Sequence, residues 1–155
     1  MNRKVAYILI VIVVFFGLLA GGYFWLFKTG PQLKTANFKI GNSVFRAEVA
    51  DTLRSRAQGL SDRPSLGENN AMLFTFQIPA AYSFWMKGMN FPLDIIWMRN
   101  GKVTGISADV LPPSGKFLDL PTYSPPGEVD AVLEINAGLS AKLGLKPGDS
   151  AEIVQ

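Results

Sequence analysis

The 155-residue sequence contains no cysteine and no histidine. Disulfides therefore contribute nothing, even in a compartment that would permit them. A cysteine or serine–histidine nucleophile and a zinc site built on His or Cys are excluded within this chain. General acid–base work falls to Asp, Glu, Lys or Tyr. Basic charge is also scarcer than the formal net charge of +3 suggests. Of the 15 Lys and Arg, Arg3, Lys4, Lys28 and Lys34 flank one apolar run, while all 12 acids lie beyond residue 34. Past Lys34, eleven basic residues stand against twelve acidic ones, a net charge of −1. That balance gives no electrostatic footprint for nucleic acid.

The apolar run, Val5 to Phe27, is VAYILIVIVVFFGLLAGGYFWLF, 23 residues without a charge. About 20 apolar residues cross a bilayer as a helix. The flank is slightly more positive before the run, which puts residues 1–4 in the cytoplasm and the rest outside. A cleaved signal peptide, with a core over Val5–Phe16 and a cut near Ala20-Gly21-Gly22, would instead release a secreted protein. The run continues through Tyr23-Phe24-Trp25-Leu26-Phe27, aromatics that suit a membrane–water interface, so a retained single-pass anchor is the expectation. No cysteine follows for a lipoprotein cut. The expected organisation is 1–4 cytoplasmic, 5–27 anchor or signal, 28–36 linker and 37–155 an extracytoplasmic domain.

Within that domain Phe38–Ile40 alternates, Gly41-Asn42 signals a hairpin, and Ser43–Ala50 alternates again. Asp51 or Thr52 caps a short helix over Leu53–Gln58, which Gly59 ends. Strands are expected over Met72–Phe76, Ala81–Met86 (after Pro79), Leu93–Met98 and Lys102–Val110, the last two joined at Asn100-Gly101. Leu111–Gly127 carries Pro112, Pro113, Pro121, Pro125 and Pro126, a long stiff loop of a kind that is often functional. Val129–Ile135 is a strand, Asn136 caps a helix over Ala137–Leu143, Gly144 ends it, and Ser150–Val154 is the last strand. The pattern predicts a mainly β domain with two short helices, a compact antiparallel barrel or sandwich.

Several pieces, in order, are shared with a known family: Gly59-Leu60 with Arg63 following, Met72-Leu73-Phe74, Phe84-Trp85-Met86-Lys87, Pro92-Leu93-Asp94-Ile95, Gly101, Val132-Leu133-Glu134, Gly138 and Gly148-Asp149. The domain resembles the domain of unknown function 192 family, small mainly-β prokaryotic domains, from about Phe38 to Gln155. The resemblance implies fold and topology and brings no settled reaction. Gly88-Met89 stands where the family usually has Asn-Thr, and Ala71 where it usually has Gly. An activity resting on the Asn-Thr pair would be missing here.

The stretch Phe84–Met98, FWMKGMNFPLDIIWM, holds Lys87 and Asp94 amid apolar residues. Alternation puts Asp94 on one face with Ile96 and Met98, where an unpaired carboxylate is costly. It needs a cation (Lys87, Arg54, Arg56 or Arg63) or several N–H donors, and pairing with Lys87 or an arginine is the expectation. The bland reading is a structural pair fixing residues 88–91. The sharper one is a polar cluster at a cleft mouth that binds an anionic or hydroxylated ligand through Trp85, Lys87, Asp94 and Arg63, with Trp85, Trp97 or Tyr82 as an apolar wall. Met86 and Met89 suggest copper(I), but methionine is more often core filler and no third soft ligand lies near, so no metal and no cofactor are expected. Asp94 and Glu134 are the candidate catalytic carboxylates, with Lys87, since glycoside hydrolysis needs two about 5–10 Å apart. Glu134 is more simply a partner for arginine or backbone N–H groups.

A membrane-anchored ligand-binding or accessory module of the cell envelope, its partner a small ligand or an envelope protein, is the leading reading. An envelope hydrolase using Asp94 or Glu134 with Lys87 and Arg63 is the first alternative. A protein–protein interaction module using the proline-rich loop is the second.

Overall fold

The computed structural model describes residues 32–113 and 120–154. The expected anchor, Val5–Phe27, lies outside these residues, as do positions 114–119 of the proline-rich loop. Among the described residues no helix is long and apolar enough to cross a membrane. The domain is mainly β with two short helices, in the order β1 (Lys34–Ile40), β2 (Ser43–Ala50), α1 (Leu53–Gln58), β3 (Asn70–Ala80), β4 (Phe84–Trp85), β5 (Leu93–Arg99), β6 (Lys102–Val110), β7 (Thr122–Tyr123), β8 (Val129–Asn136), α2 (Leu139–Lys142) and β9 (Ala151–Val154). β1 begins inside the stretch read as linker.

Seven strands form one open sheet in the order β6-β5-β8-β3-β2-β1-β9, and β4 pairs with β7 apart from it. The pairings are antiparallel, as the sequence leads one to expect, with one exception: β2 and β3 run parallel. Residues 51–69, with α1 among them, are long enough to return the chain to the starting edge, as a parallel pair requires. A correction concerns β3. The strand expected over Met72–Phe76 runs on through Pro79 to Ala80, the one expected over Ala81–Met86 is reduced to Phe84–Trp85 of β4, and the register of β3 with β8 shifts between Thr75 and Ala80. Pro79, which has no N–H to donate, falls in that irregular stretch, where a ladder bond is not needed.

One face of all seven strands meets in a single apolar cluster that includes Phe38, Phe45, Leu73, Ile96, Val103, Leu133 and Ala151. The sheet therefore curves around this core. At one end its two edges touch through the Lys102–Ser150 bridge and the bond from Val103 N–H to Asp149 O at 3.0 Å. On the opposite face Met72, Phe74, Ile95, Trp97 and Val132 are covered by Leu60, Leu66, Met86 and Met89. β5, paired on both sides by β6 and β8, has both faces in apolar clusters and is buried from Leu93 to Met98. Its near-continuous hydrophobic run follows from that position.

Turn chemistry fixes the connections. Thr52 and Ser55 form a reciprocal capping box at the start of α1, and Gly59 ends it at φ +50°. Asn100 and Gly101, at φ +49° and +67°, close the β5–β6 hairpin between Arg99 and Lys102. Both central residues of a type I′ turn need that left-handed region.

Candidate functional site

Asp94 is fully buried, on the face of Ile96 and Met98 as alternation predicts. Its expected partner, Lys87 or an arginine, is a correction. The carboxylate accepts three backbone N–H bonds: Asp109 and Gly138 donate to Oδ1 at 2.8 and 3.1 Å, and Ser140 donates to Oδ2 at 2.8 Å. Asp109 sits at φ +52° at the end of β6, and Gly138 and Ser140 open α2. Asp94 thus satisfies the unpaired N–H groups of a helix start from a neighbouring strand. Asn136, expected to cap this helix, instead donates from Nδ2 to the carbonyls of Leu66 and Gly67.

Lys87 is exposed, its ammonium 5.5 Å from the centroid of the Trp85 ring. Arg63 is engaged by Glu48 in a bidentate pair, with N–O distances of 2.6 and 2.8 Å, and this pair holds the Glu48 carboxyl below its usual range. Arg63 is the anchor of its loop. Asn90 Nδ2 donates to its carbonyl, and Asp62 N–H donates to the carbonyl of Gly88. Gly88 sits at φ +69° with Ser61 packed against it. Glycine and asparagine both tolerate that conformation, so Gly88 preserves the backbone where the family usually has Asn.

Glu134 differs from the other carboxylates. It lies on β8 between Met72 of β3 and Ile95 of β5, and it is 5 % exposed. The expected arginine or N–H partner is absent, because among the described residues its side chain makes no hydrogen bond or ion pair. Flanked by apolar strands, the charged form is desolvated, and burial pushes the carboxyl up to about 8. Glu134 opens onto a cleft of about 250 Å³ between the end of α1 and residues 82–85, walled by Phe74, Phe76, Tyr82, Phe84 and Trp85. Tyr82 stacks on Phe76 at 3.7 Å, with its hydroxyl donating to Ile78 O. On Phe76 also rests the Arg56 guanidinium, 4.8 Å from the ring centroid. Arg56 Nη2 donates to Asp51 O at 2.9 Å, while its buried Nε has no partner among the described residues.

The structure brings Trp85, Tyr82 and Glu134 to one cleft, whose lining does not include Lys87, Asp94 or Arg63. Asp94 pairs with Ile135 and Ile95 with Glu134 across β5 and β8, so the two carboxylates lie on opposite faces of the sheet. The two-carboxylate arrangement of a hydrolase is not assembled. Trp97 is buried in the core and donates from Nε1 to Ser107 Oγ, so it is no pocket wall. Met86 is likewise core, and Met89 reaches the cleft. In the sequence Arg56 reads only as a candidate partner for Asp94. Its place in the cleft follows from tertiary packing of α1, and the signal in the sequence was slight: one arginine three residues before the helix-ending Gly59.

A family model described as an uncharacterized ACR, DUF192, matches residues 36–153. Two solved structures are similar. One is a protein of unknown function from Novosphingobium aromaticivorans DSM 12444, 37 % identical, covering 77 % of this chain and 86 % of that chain with a TM-score of 0.71. The other, from Sinorhizobium meliloti 1021, is named as a candidate transcription regulator; it is 26 % identical and covers 81 % of this chain and 98 % of that chain with a TM-score of 0.72. No curated protein matches.

Proposed function

The chain belongs to the domain of unknown function 192 family, and we propose that it is a small-molecule-binding module of the cell envelope, held outside the cytoplasm by Val5–Phe27, with the ligand seated over Glu134. The observation that carries the binding reading is the partnerless buried carboxyl at an aromatic cleft. A carboxyl that has no protein partner, faces a cleft and carries a raised pKa is the mark of a candidate functional site. Trp85, half exposed at 53 %, offers an aromatic surface at the cleft edge. The anchor is supported by the 23-residue uncharged run and its aromatic end.

Binding is favoured over hydrolysis because Asp94, the second carboxylate that hydrolysis would need, is committed to three backbone N–H groups on the far face. A nucleic-acid role draws no support from the charge past Lys34, which is −1 from eleven basic and twelve acidic residues. The test is a thermal-shift screen of the full chain in detergent against sugars, organic acids and amines. A ligand at about 100 times its Kd stabilises the native state by about 2.7 kcal/mol. Hits that disappear in Trp85→Ala and Glu134→Leu support the reading. A screen without hits, or hits indifferent to both substitutions, rejects it.

A further inference from the structure

We infer that the cleft over Glu134 selects small organic anions, monocarboxylates with an apolar body of about one ring, held at the carboxylate by the Arg56 guanidinium and the Glu134 carboxyl. The inference rests on the ligand-binding reading and adds the class of ligand. It stands on the groups that border one cleft. Arg56 supplies a cation whose buried Nε–H is unpartnered among the described residues. Its position is fixed from both ends, by the bond from Nη2 to Asp51 O and by the face of Phe76. A guanidinium held in place loses little freedom on meeting a carboxylate, which it matches in shape. Glu134 is the carboxyl among the described lining residues, and Arg56 is the cation.

The protonation of Glu134 decides the sign. With its carboxyl pushed up to about 8 by burial, it enters neutral solution protonated. A neutral carboxyl donates a hydrogen bond where an ionised one can only accept. At neutral pH the lining then carries Arg56 as its charge, beside a neutral Glu134 carboxyl. An anion is attracted, whereas an ammonium ion would meet a like charge. Phe74, Phe76, Tyr82, Phe84, Trp85 and Met89 accommodate an apolar body, with Gln58, Ser61 and Ser83 as the neutral polar part of the lining. The volume of about 250 Å³ is slightly below the roughly 300–1,000 Å³ of ordinary small-molecule sites, which suits one ring with a short arm.

Three fluorinated probes that share a 4-fluorobenzyl body and differ in charge test this on the full chain in a zwitterionic detergent: 4-fluorophenylacetate, 4-fluorobenzyl alcohol and 4-fluorobenzylamine. Binding is followed by fluorine NMR relaxation at pH 6.5 and pH 9.5, with detergent alone as the blank. The phenylacetate should bind at least about tenfold more tightly than the alcohol at pH 6.5, the scale of one charge-assisted hydrogen bond. Its affinity should fall about tenfold by pH 9.5, as Glu134 ionises and repels it. Arg56→Gln should abolish the preference for phenylacetate while leaving the alcohol bound. Glu134→Gln should keep phenylacetate binding and remove its pH dependence. If the alcohol binds as well as the phenylacetate, or the amine binds best and tightens with rising pH, the anion class is overturned and the ligand site stands. If none of the three binds above the detergent blank, the anion class is overturned, while the ligand-binding reading stands or falls with the thermal-shift screen.

Discussion

Two buried carboxylates in adjacent strands have opposite roles, and their partners decide which is which. Asp94 accepts three backbone N–H groups, so its removal takes that acceptor from all three. Each unsatisfied buried donor costs about 1–3 kcal/mol. Asp94→Ala should lower stability by on the order of 3 kcal/mol or more in a urea titration, whereas the exposed Glu152→Ala should stay within about 0.5 kcal/mol. Equal midpoints for the two variants would refute the capping role. Glu134 behaves inversely. Its folded pKa, about 8, lies above the ordinary value of 4.5. The folded state therefore keeps a proton that the unfolded chain releases. The associated stability is fully present below about pH 4.5 and is lost as pH rises to about 8, at about 1.4 kcal/mol per pH unit. Glu134→Gln should remove that slope from stability curves between pH 5 and 8. Glu134→Leu should be neutral or stabilising at pH 8, as expected where a functional group is kept at the expense of stability. A loss of several kcal/mol in Glu134→Leu would show that the carboxyl has a structural partner.

At the scale of elements, the legible parts were those written in local chemistry. Thr52, Ser55 and Gly59 bracket α1 as the sequence predicts, because a capping box and a left-handed end residue need only near neighbours. Asn100-Gly101 likewise forms the expected hairpin. A side chain at Gly101 would sit at φ +67° with its Cβ 3.3 Å from the carbonyl oxygen of Ala151. Gly101→Val should cost about 1–3 kcal/mol, and a denaturation midpoint unchanged by it would contradict the turn. The parts that misled depend on distant chain. Pro79 reads as a break between strands, but a register shift against β8 absorbs it. Asn136 reads as a helix cap, but the loop at Leu66 and Gly67 claims its amide and Asp94 supplies the cap from β5. Glu134 was the hardest to read. On its face of β8 it shares alternation with Asp130 and Asn136, a polar pattern that imitates a solvent face. Only the sheet order, with Met72 and Ile95 on either side, shows it to be buried.

At the scale of the molecule, the family and the mainly β class were readable from scattered motifs, because Phe84–Lys87, Pro92–Ile95 and Val132–Glu134 each place apolar residues on the same sheet face or its cover. The cleft was not readable, since it forms where α1, β3, residues 82–85 and β8 converge from separate parts of the chain. The proposed topology makes an independent prediction. A C-terminal alkaline phosphatase fusion should be active, and intact mass should show a chain beginning at Met1. A mature start near Gly22 would replace the anchor with a cleaved signal. The binding account as a whole depends on a carboxyl that stays protonated at an open cleft. Its most direct test is a carbon-13 NMR titration of the Glu134 side-chain carboxyl in the full chain, assigned by its disappearance in Glu134→Gln. The account predicts a midpoint near 8 that rises further when 4-fluorophenylacetate is added, because a bound anion disfavours ionisation. A midpoint near 4.5, unmoved by the probe, would contradict it.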